Sequence, residues 1–440
     1  MVGITKMKAE KQKAEKEAFF CTTKELSRLG LEQIPTQFQS HKHLIYSSPA
    51  TLAFNSPGAE GFGVKRAGLA VPDSIMLIVA PGCCGRNTSL ISSMKEYNDR
   101  FYYLMMDETD IVTGRHLKKI PKAVEEICSV CPKKPSVVMI CITCVDALLG
   151  TDMERVCKKA EERVEIPVRP CYMYALTREG RKPPMVHVRQ SLYSLLEPGK
   201  KKGNVVNLLG FFSPLVGDCE IYDLLHSAGV KTIHEISRCK DYMEYQTMSE
   251  ANFNLVLHHE ARFAAEDFHN RLQIPFIELR RLYQIDKIEN QYHALGNALG
   301  VVFCDEKYKK QAEDALEKFR QKCPDASFAI GECLNADPFE LSLALIRYGF
   351  SVPEIYGTIT VENFTYIRSL AKISPETKVF SNMEPTMIYY DPAKSGVNLA
   401  IGKDACYYHP DCPYVMWNGE EQPYGYAGVR RLFEQLLEVV

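Results

Sequence analysis

Short apolar runs, too brief to span a membrane and too continuous for half-buried strands, recur along this chain, and stretches of helical period follow them. The clearest are Ser74–Ala80 (SIMLIVA) and Ser136–Ile142 (SVVMICI). A strand apolar on both faces belongs in a parallel sheet covered by helices on each side. The stretch His116–Cys128 puts Ile120, Val124, Ile127 and Cys128 on one helical face. The stretch Thr151–Ala160 opens with Thr151 and Glu154 in the S/T-x-x-E spacing of a capping box, which predicts a helix start at Thr151. A helix is also expected from near Arg86, and a further strand at Phe101–Met106. The order strand, helix, strand, helix predicts an α/β fold with parallel sheets and crossover helices.

The same unit returns twice. Asn204–Leu209, Lys231–Ile236, Phe253–Leu257 and residues 274–277 read as strands, with helices at Asp218–Ala228 and Arg262–Arg271. After a helix at Lys287–Leu299 come a strand at Ser327–Gly331, a helix at Pro338–Tyr348 and a strand at Ser351–Tyr356. Three such blocks in 440 residues predict three Rossmann-like domains, each long enough to bury its own core. The expected organisation is a charged N-terminal extension at residues 1–45, a first domain at 46–200, a second at 203–300, and a third at 301–440 with a C-terminal helix. The Lys/Gly-rich junction Gly199–Gly203 separates the first two.

Charge excludes some partners. With 53 basic and 55 acidic side chains the formal net charge is −2, so no global field favours nucleic acid or an anionic membrane, and neither is expected as a partner. The Lys/Glu-rich start has no apolar core of a secretory signal, and no apolar run approaches the roughly 18 residues that cross a bilayer. A cytoplasmic protein is the expectation.

In a reducing compartment, 16 cysteines are not expected to form a disulfide framework. Two groups stand out by position. Cys83 and Cys84 follow the first strand in Pro81-Gly82-Cys83-Cys84-Gly85, and Cys141 and Cys144 lie at the end of the second, in Cys141-Ile142-Thr143-Cys144. Ligands of open α/β sheets bind at the carboxyl ends of strands, where strand order reverses, so thiols delivered there by two strands are candidates for one metal centre. Cys84 and Cys144, in the turns beyond the strands, are the stronger candidates. Burial as small core residues is the competing role for Cys83 and Cys141. Cys128 and Cys131 have CxxC spacing, but Cys128 sits on an apolar helix face and is expected to pack. Cys406 and Cys412 bracket a Tyr-Tyr-His-Pro-Asp run and are weaker metal candidates. His258 and His259, just past the strand Phe253–Leu257, are candidates for substrate contact or proton donation, and a plain loop pair is the alternative. No P-loop, GxGxxG, GxSxG or HExxH motif is complete, so ATP hydrolysis and dinucleotide binding by this chain are not expected.

Taken together, Pro-Gly-Cys83-Cys84-Gly85, Thr143-Cys144 with Leu149-Gly150-Thr151-Asp152-Met153-Glu154, Ile166-Pro167-Val168 and Gly217-Asp218 before a helix resemble the nitrogenase component 1 superfamily. That superfamily includes the MoFe protein subunits, cofactor-assembly scaffolds and nitrogenase-like reductases. The resemblance runs from about Ser74 to the Gly425-Tyr426-Ala427-Gly428 segment. It implies three Rossmann-like domains around a central cleft. It also implies that Cys84 and Cys144 ligate an iron–sulfur cluster at a subunit interface, with Cys83 as an additional candidate. The family often has a third cysteine roughly 25 residues before Cys84, where this chain has Asn55-Ser56-Pro57-Gly58. A [4Fe–4S] cluster shared between two subunits is therefore expected over an eight-iron cluster, since two thiolates per chain make a Cys₄ set in a pair. The second subunit is either another copy or a homologous component 1 chain. No FeMo-cofactor is expected, because Leu257-His258-His259 and Val415-Met416-Trp417-Asn418 stand where the family's cofactor-binding Cys and His would be. The function implied is an iron–sulfur oxidoreductase that takes electrons from an ATP-dependent iron–sulfur reductase and reduces a substrate other than dinitrogen. A non-catalytic scaffold for metal-cofactor assembly is the alternative.

Overall fold

The computed structural model describes residues 17–39, 63–82, 92–143, 149–173 and 182–440. Fourteen short strands among these residues form three sheets. The first strand, β1 (Phe20–Thr22), belongs to the last of them.

The first sheet contains β2 (Ile75–Ala80), β3 (Phe101–Met105), β4 (Val138–Ile142) and β5 (Val168–Tyr172), in the order β3-β2-β4-β5 and wholly parallel. All six residues of β2 are buried, and alternate side chains serve opposite faces. Ile75, Leu77 and Val79 pack with Ile120, Val124 and Ile127 of the helix His116–Val130. Met76, Ile78 and Ala80 pack with Cys141, Cys171 and Val188 on the other face. Burying each larger apolar side chain contributes roughly 1.5–3 kcal/mol. That is why the run is apolar throughout.

The second sheet repeats the plan with β6 (Val205–Leu209), β7 (Thr232–His234), β8 (Phe253–Val256) and β9 (Phe276–Glu278) in the order β7-β6-β8-β9. The third contains β10 (Ser327–Ile330), β11 (Ser351–Tyr356), β12 (Lys378–Phe380), β13 (Leu399–Ile401) and β14 (Tyr414–Val415), in the order β1-β12-β11-β10-β13-β14. Only β1 runs antiparallel, against β12. Within the stretch expected to be a charged extension, Phe20–Thr22 therefore join the third sheet. Leu26 and Phe38 are buried in the same core as Phe328 and Ile355.

Among the parallel strands of each sheet, the strand order reverses once. The reversals fall between β2 and β4, between β6 and β8, and between β10 and β13. Crevices open at such points, at the carboxyl ends of the strands.

One helix start differs from expectation. The helix after β4 runs Met153–Val164, and Asp152 caps it by accepting from the Arg155 amide at 3.1 Å, so Thr151 lies outside. A carboxylate one residue later does the hydroxyl's work and also suits the positive end of the helix.

Candidate functional site

Cys83, Cys84 and Cys144 lie outside the described residues. What the structure supplies is the strands that lead to them. β2 and β4 are adjacent and parallel, with Val79 opposite Ile142, so the Cys83-Cys84 segment and the Cys144 segment are fed from neighbouring strand ends at one reversal point. Cys141 is fully buried inside β4, opposite Cys171 of β5. Cys128 and Cys131 are half-buried, and Cys131 lies 3.1 Å from the Tyr102 hydroxyl. Cys406 is buried, and the Cys412 thiol donates to the Val397 carbonyl. Among the described residues no three His, Cys, Asp or Glu side chains converge to hold a metal ion.

The reversal points of the second and third sheets face a shared cleft of about 660 Å³, and His258 and His259 line it. Gly210, which follows β6, makes their position possible. A Cβ there would stand 2.7 Å from the His258 amide nitrogen, and the φ of +140° is one that side-chain-bearing residues avoid. Arg189, from the helix Pro184–Tyr193, clamps the two loops. It donates to the Gly210 carbonyl at 2.6 and 3.1 Å and pairs with Glu260 at 2.8 Å. The His258 ring stacks on His259 at 4.5 Å, and its Nδ1 accepts from the Glu260 amide at 3.4 Å. That bond puts the proton of the neutral ring on Nε2. Burial, followed by the nearby charges of Arg189, His259 and Arg281, pushes the His258 pKa well below the usual histidine value. About a third of the side chain still meets the cleft (34%).

The opposite wall is acidic. Glu332 follows β10 and accepts from the Thr358 amide at 2.8 Å, and burial raises its carboxyl above the usual range. Asp337 caps the helix Pro338–Arg347, accepting from the amides of Phe339 and Glu340 at 2.9 and 3.0 Å. Burial still lifts its pKa to about 6. Two carboxyls with raised proton affinity thus share one cleft with a neutral imidazole; the carboxyls are suited to giving and taking protons closer to neutral pH, and the imidazole offers a hydrogen bond from Nε2. Where a cofactor-binding histidine is expected from family resemblance, Trp417 is buried, its Nε1 donating to the Tyr283 hydroxyl at 2.6 Å.

The sequence pointed to His258 and His259 but not to Arg189, Glu332, Asp337 or Arg281. A second cavity, of about 670 Å³, lies beside Asp218 and the C-terminal helix Gly425–Val439. Its charged groups are largely satisfied, Asp218 by Arg430 and Arg431 and Tyr426 by Asp305, so the shared cleft is the better candidate.

Comparison with known proteins names the architecture. The family model described as nitrogenase component 1 type oxidoreductase matches residues 60–440. The chain belongs to this family. Among curated relatives, the nitrogenase iron-molybdenum cofactor biosynthesis protein NifE of Nostoc sp. is 25% identical over 284 residues, covering 61% of this chain and 58% of the relative. NifE of Clostridium pasteurianum is 25% identical over 257 residues, 56% of this chain and 54% of its own. These two matches thus span little more than half of each relative. NifE of Sinorhizobium fredii is 25% identical over 418 residues, 89% of this chain and 82% of that protein. The solved structure "Nitrogenase Cp1 at pH 6.5" has the same fold, with a TM-score of 0.69, 19% identity, and coverage of 87% of this chain and 93% of that one. No helix among the described residues of this component 1-type chain is long and apolar enough to cross a membrane.

Proposed function

We propose that the chain is a redox subunit of component 1 type. In this reading Cys84 and Cys144 contribute half of a Cys₄ set for a [4Fe–4S] cluster shared with a second such chain. The cleft holds the substrate, and electrons come from an ATP-dependent iron–sulfur reductase. The cluster, when bound, supplies storage and passage of single electrons. The donor chemistry fits, since two neighbouring strand ends feed the segments that bear the thiols.

One observation carries the reading of the cleft. His258 faces it as a neutral imidazole, opposite Glu332 and Asp337, whose carboxyls hold protons more tightly than usual. Reduction of a bound molecule consumes protons with electrons; the two carboxyls are the donors, and the neutral His258 ring orients the molecule through its Nε2–H. Arg189 keeps His258 in place through Gly210 and Glu260.

A second reading, a non-catalytic scaffold on which a metal cofactor is assembled, is favoured by the names of the NifE relatives. Electron counting separates the two. With dithionite, MgATP and a component 2-type reductase under anaerobic conditions, and with solvent protons as the acceptor (two electrons and two protons per H2 released), a redox subunit goes on consuming electrons beyond the capacity of its own cluster. A scaffold stops once that cluster is reduced. Consumption that ends at about one electron per cluster overturns the redox reading.

A further inference from the structure

The cleft is lined by four arginines, and three have acidic neighbours. Arg189 pairs with Glu260 and Arg262 with Glu278, both at 2.8 Å, and Arg280 lies near enough to Asp337 to draw its pKa down. Arg281 is different. Among the described residues no carboxylate lies within ion-pair distance of it. Its guanidinium stacks on the Phe211 ring at 4.4 Å, and Nη2 donates to Oε1 of Gln422 at 2.6 Å. Its Nε is buried with no hydrogen-bond partner.

The guanidinium is also held in place. Gln422 is paired through its backbone to the segment after β6, with the Val216 amide donating to the Gln422 carbonyl at 3.1 Å and the Gln422 amide to the Pro214 carbonyl at 2.9 Å. Its side-chain Nε2 donates to the Glu420 carbonyl at 2.8 Å, which turns Oε1 toward Arg281. A half-buried cation that is fixed in position, short of one acceptor and without a counter-ion is costly to leave unpaired. Such a group offers an anion a preorganised partner.

We propose that Arg281 is the anchor of an anionic ligand in the cleft, one bearing a carboxylate or phosphate group whose oxygens accept from the guanidinium while the rest of the ligand lies toward His258. This rests on the cleft being the ligand site, as in the reading above. It narrows the ligand to molecules with an oxyanion and makes Arg281 a specificity determinant for them.

The test is isothermal titration of the anaerobically purified, cluster-loaded protein with malonate, citrate and inorganic phosphate. At least one probe is expected to bind at about millimolar or better, and Arg281→Gln to weaken it by about tenfold or more. Arg320→Gln, on the exposed face of the helix Glu306–Lys322, should leave binding unchanged. Carboxylate probes binding better than phosphate assign a carboxylate ligand, and the reverse order assigns a phosphorylated one. Thermal melting guards against misfolding. Without anion, Arg281→Gln should melt no lower than the native protein, because it removes an uncompensated charge. With the binding probe present only the native protein should gain stability. Native protein that binds none of the probes at about 10 mM, or a variant that binds them within about twofold of native, overturns the proposal. Iron content is independent of Arg281. A cluster-loaded protein that ignores anions refutes this inference alone, whereas an iron-free protein refutes the redox reading alone.

Discussion

Asp404 lies so close to Gly331 that a Cβ added to the glycine would stand 2.1 Å from its Oδ1. The carboxylate accepts from the amides of Glu332 and Cys333 at 2.8 and 2.9 Å and from the Asn382 side chain at 2.6 Å. These bonds tie the segment after β10 to the segment after β13, and so fix Glu332 at the cleft. At the corresponding point of the second sheet, Gly210 gives His258 the same closeness.

Gly331→Ala should therefore unlatch the acidic wall. The methyl group cannot be placed without moving a fully buried carboxylate off its donors, at a cost of about 2 kcal/mol or more. Gly203→Ala, at an open position without positive φ, should cost less than about 1 kcal/mol. Urea denaturation of both variants checks this. Equal midpoints would mean that the latch has no stabilising role.

Stability should also fall as pH rises through neutrality. Glu340 is fully buried, accepting from the amides of Tyr283 and Gln284, and burial raises its pKa from 4.5 to about 7. The folded state then binds this proton more tightly than the unfolded chain. The stabilisation is complete below about pH 4.5 and is lost as pH rises through about 7. Asp337, raised to about 6, acts in the same direction. Melting temperatures between pH 5.5 and 7.5 should decline in the native protein and decline less in Glu340→Gln. An identical slope in the two would rule out Glu340 as the source.

Association should depend on the metal. Two thiolates per chain complete a four-cysteine cluster only in a pair, so cluster binding and pairing stabilise each other. Sedimentation at micromolar concentration should show a pair before anaerobic chelation and a weakened one after it. A cluster-loaded monomer would mean that one chain completes the ligand set, with Cys83 the first candidate.

The sheets were legible where strands are long and buried on both faces. The run at 74–80 contains β2, because nothing but a continuous apolar run fits between two helical layers, and β11 occupies the residues read for it, Ser351–Tyr356, although Ser351 is exposed and Glu354 interrupts its apolar pattern. Strands β12 and β13 have three residues each and β14 two, too few to show a period, and they exist because longer neighbours template them. Residues 17–39 sit beside a charged run, and only the antiparallel pairing of β1 with β12 reveals that they belong to the third core. Within the cleft, His258 and His259 were readable because they follow a strand directly. Arg189, Arg281 and Glu332 are separated by tens of residues and meet only through the fold. Arg280-Arg281 by itself reads as a solvated pair.

Ligation of an iron–sulfur cluster by Cys84 and Cys144 is tested most directly by iron and acid-labile sulfide in anaerobically purified native, Cys144→Ala and Cys128→Ala proteins. The native protein should be brown, with about two iron and two sulfide per chain, half of a shared four-iron cluster. Cys128→Ala should keep both, while Cys144→Ala should lose the colour, the iron, and the low-temperature EPR signal seen after dithionite reduction. Full iron and sulfide in Cys144→Ala would contradict the assignment.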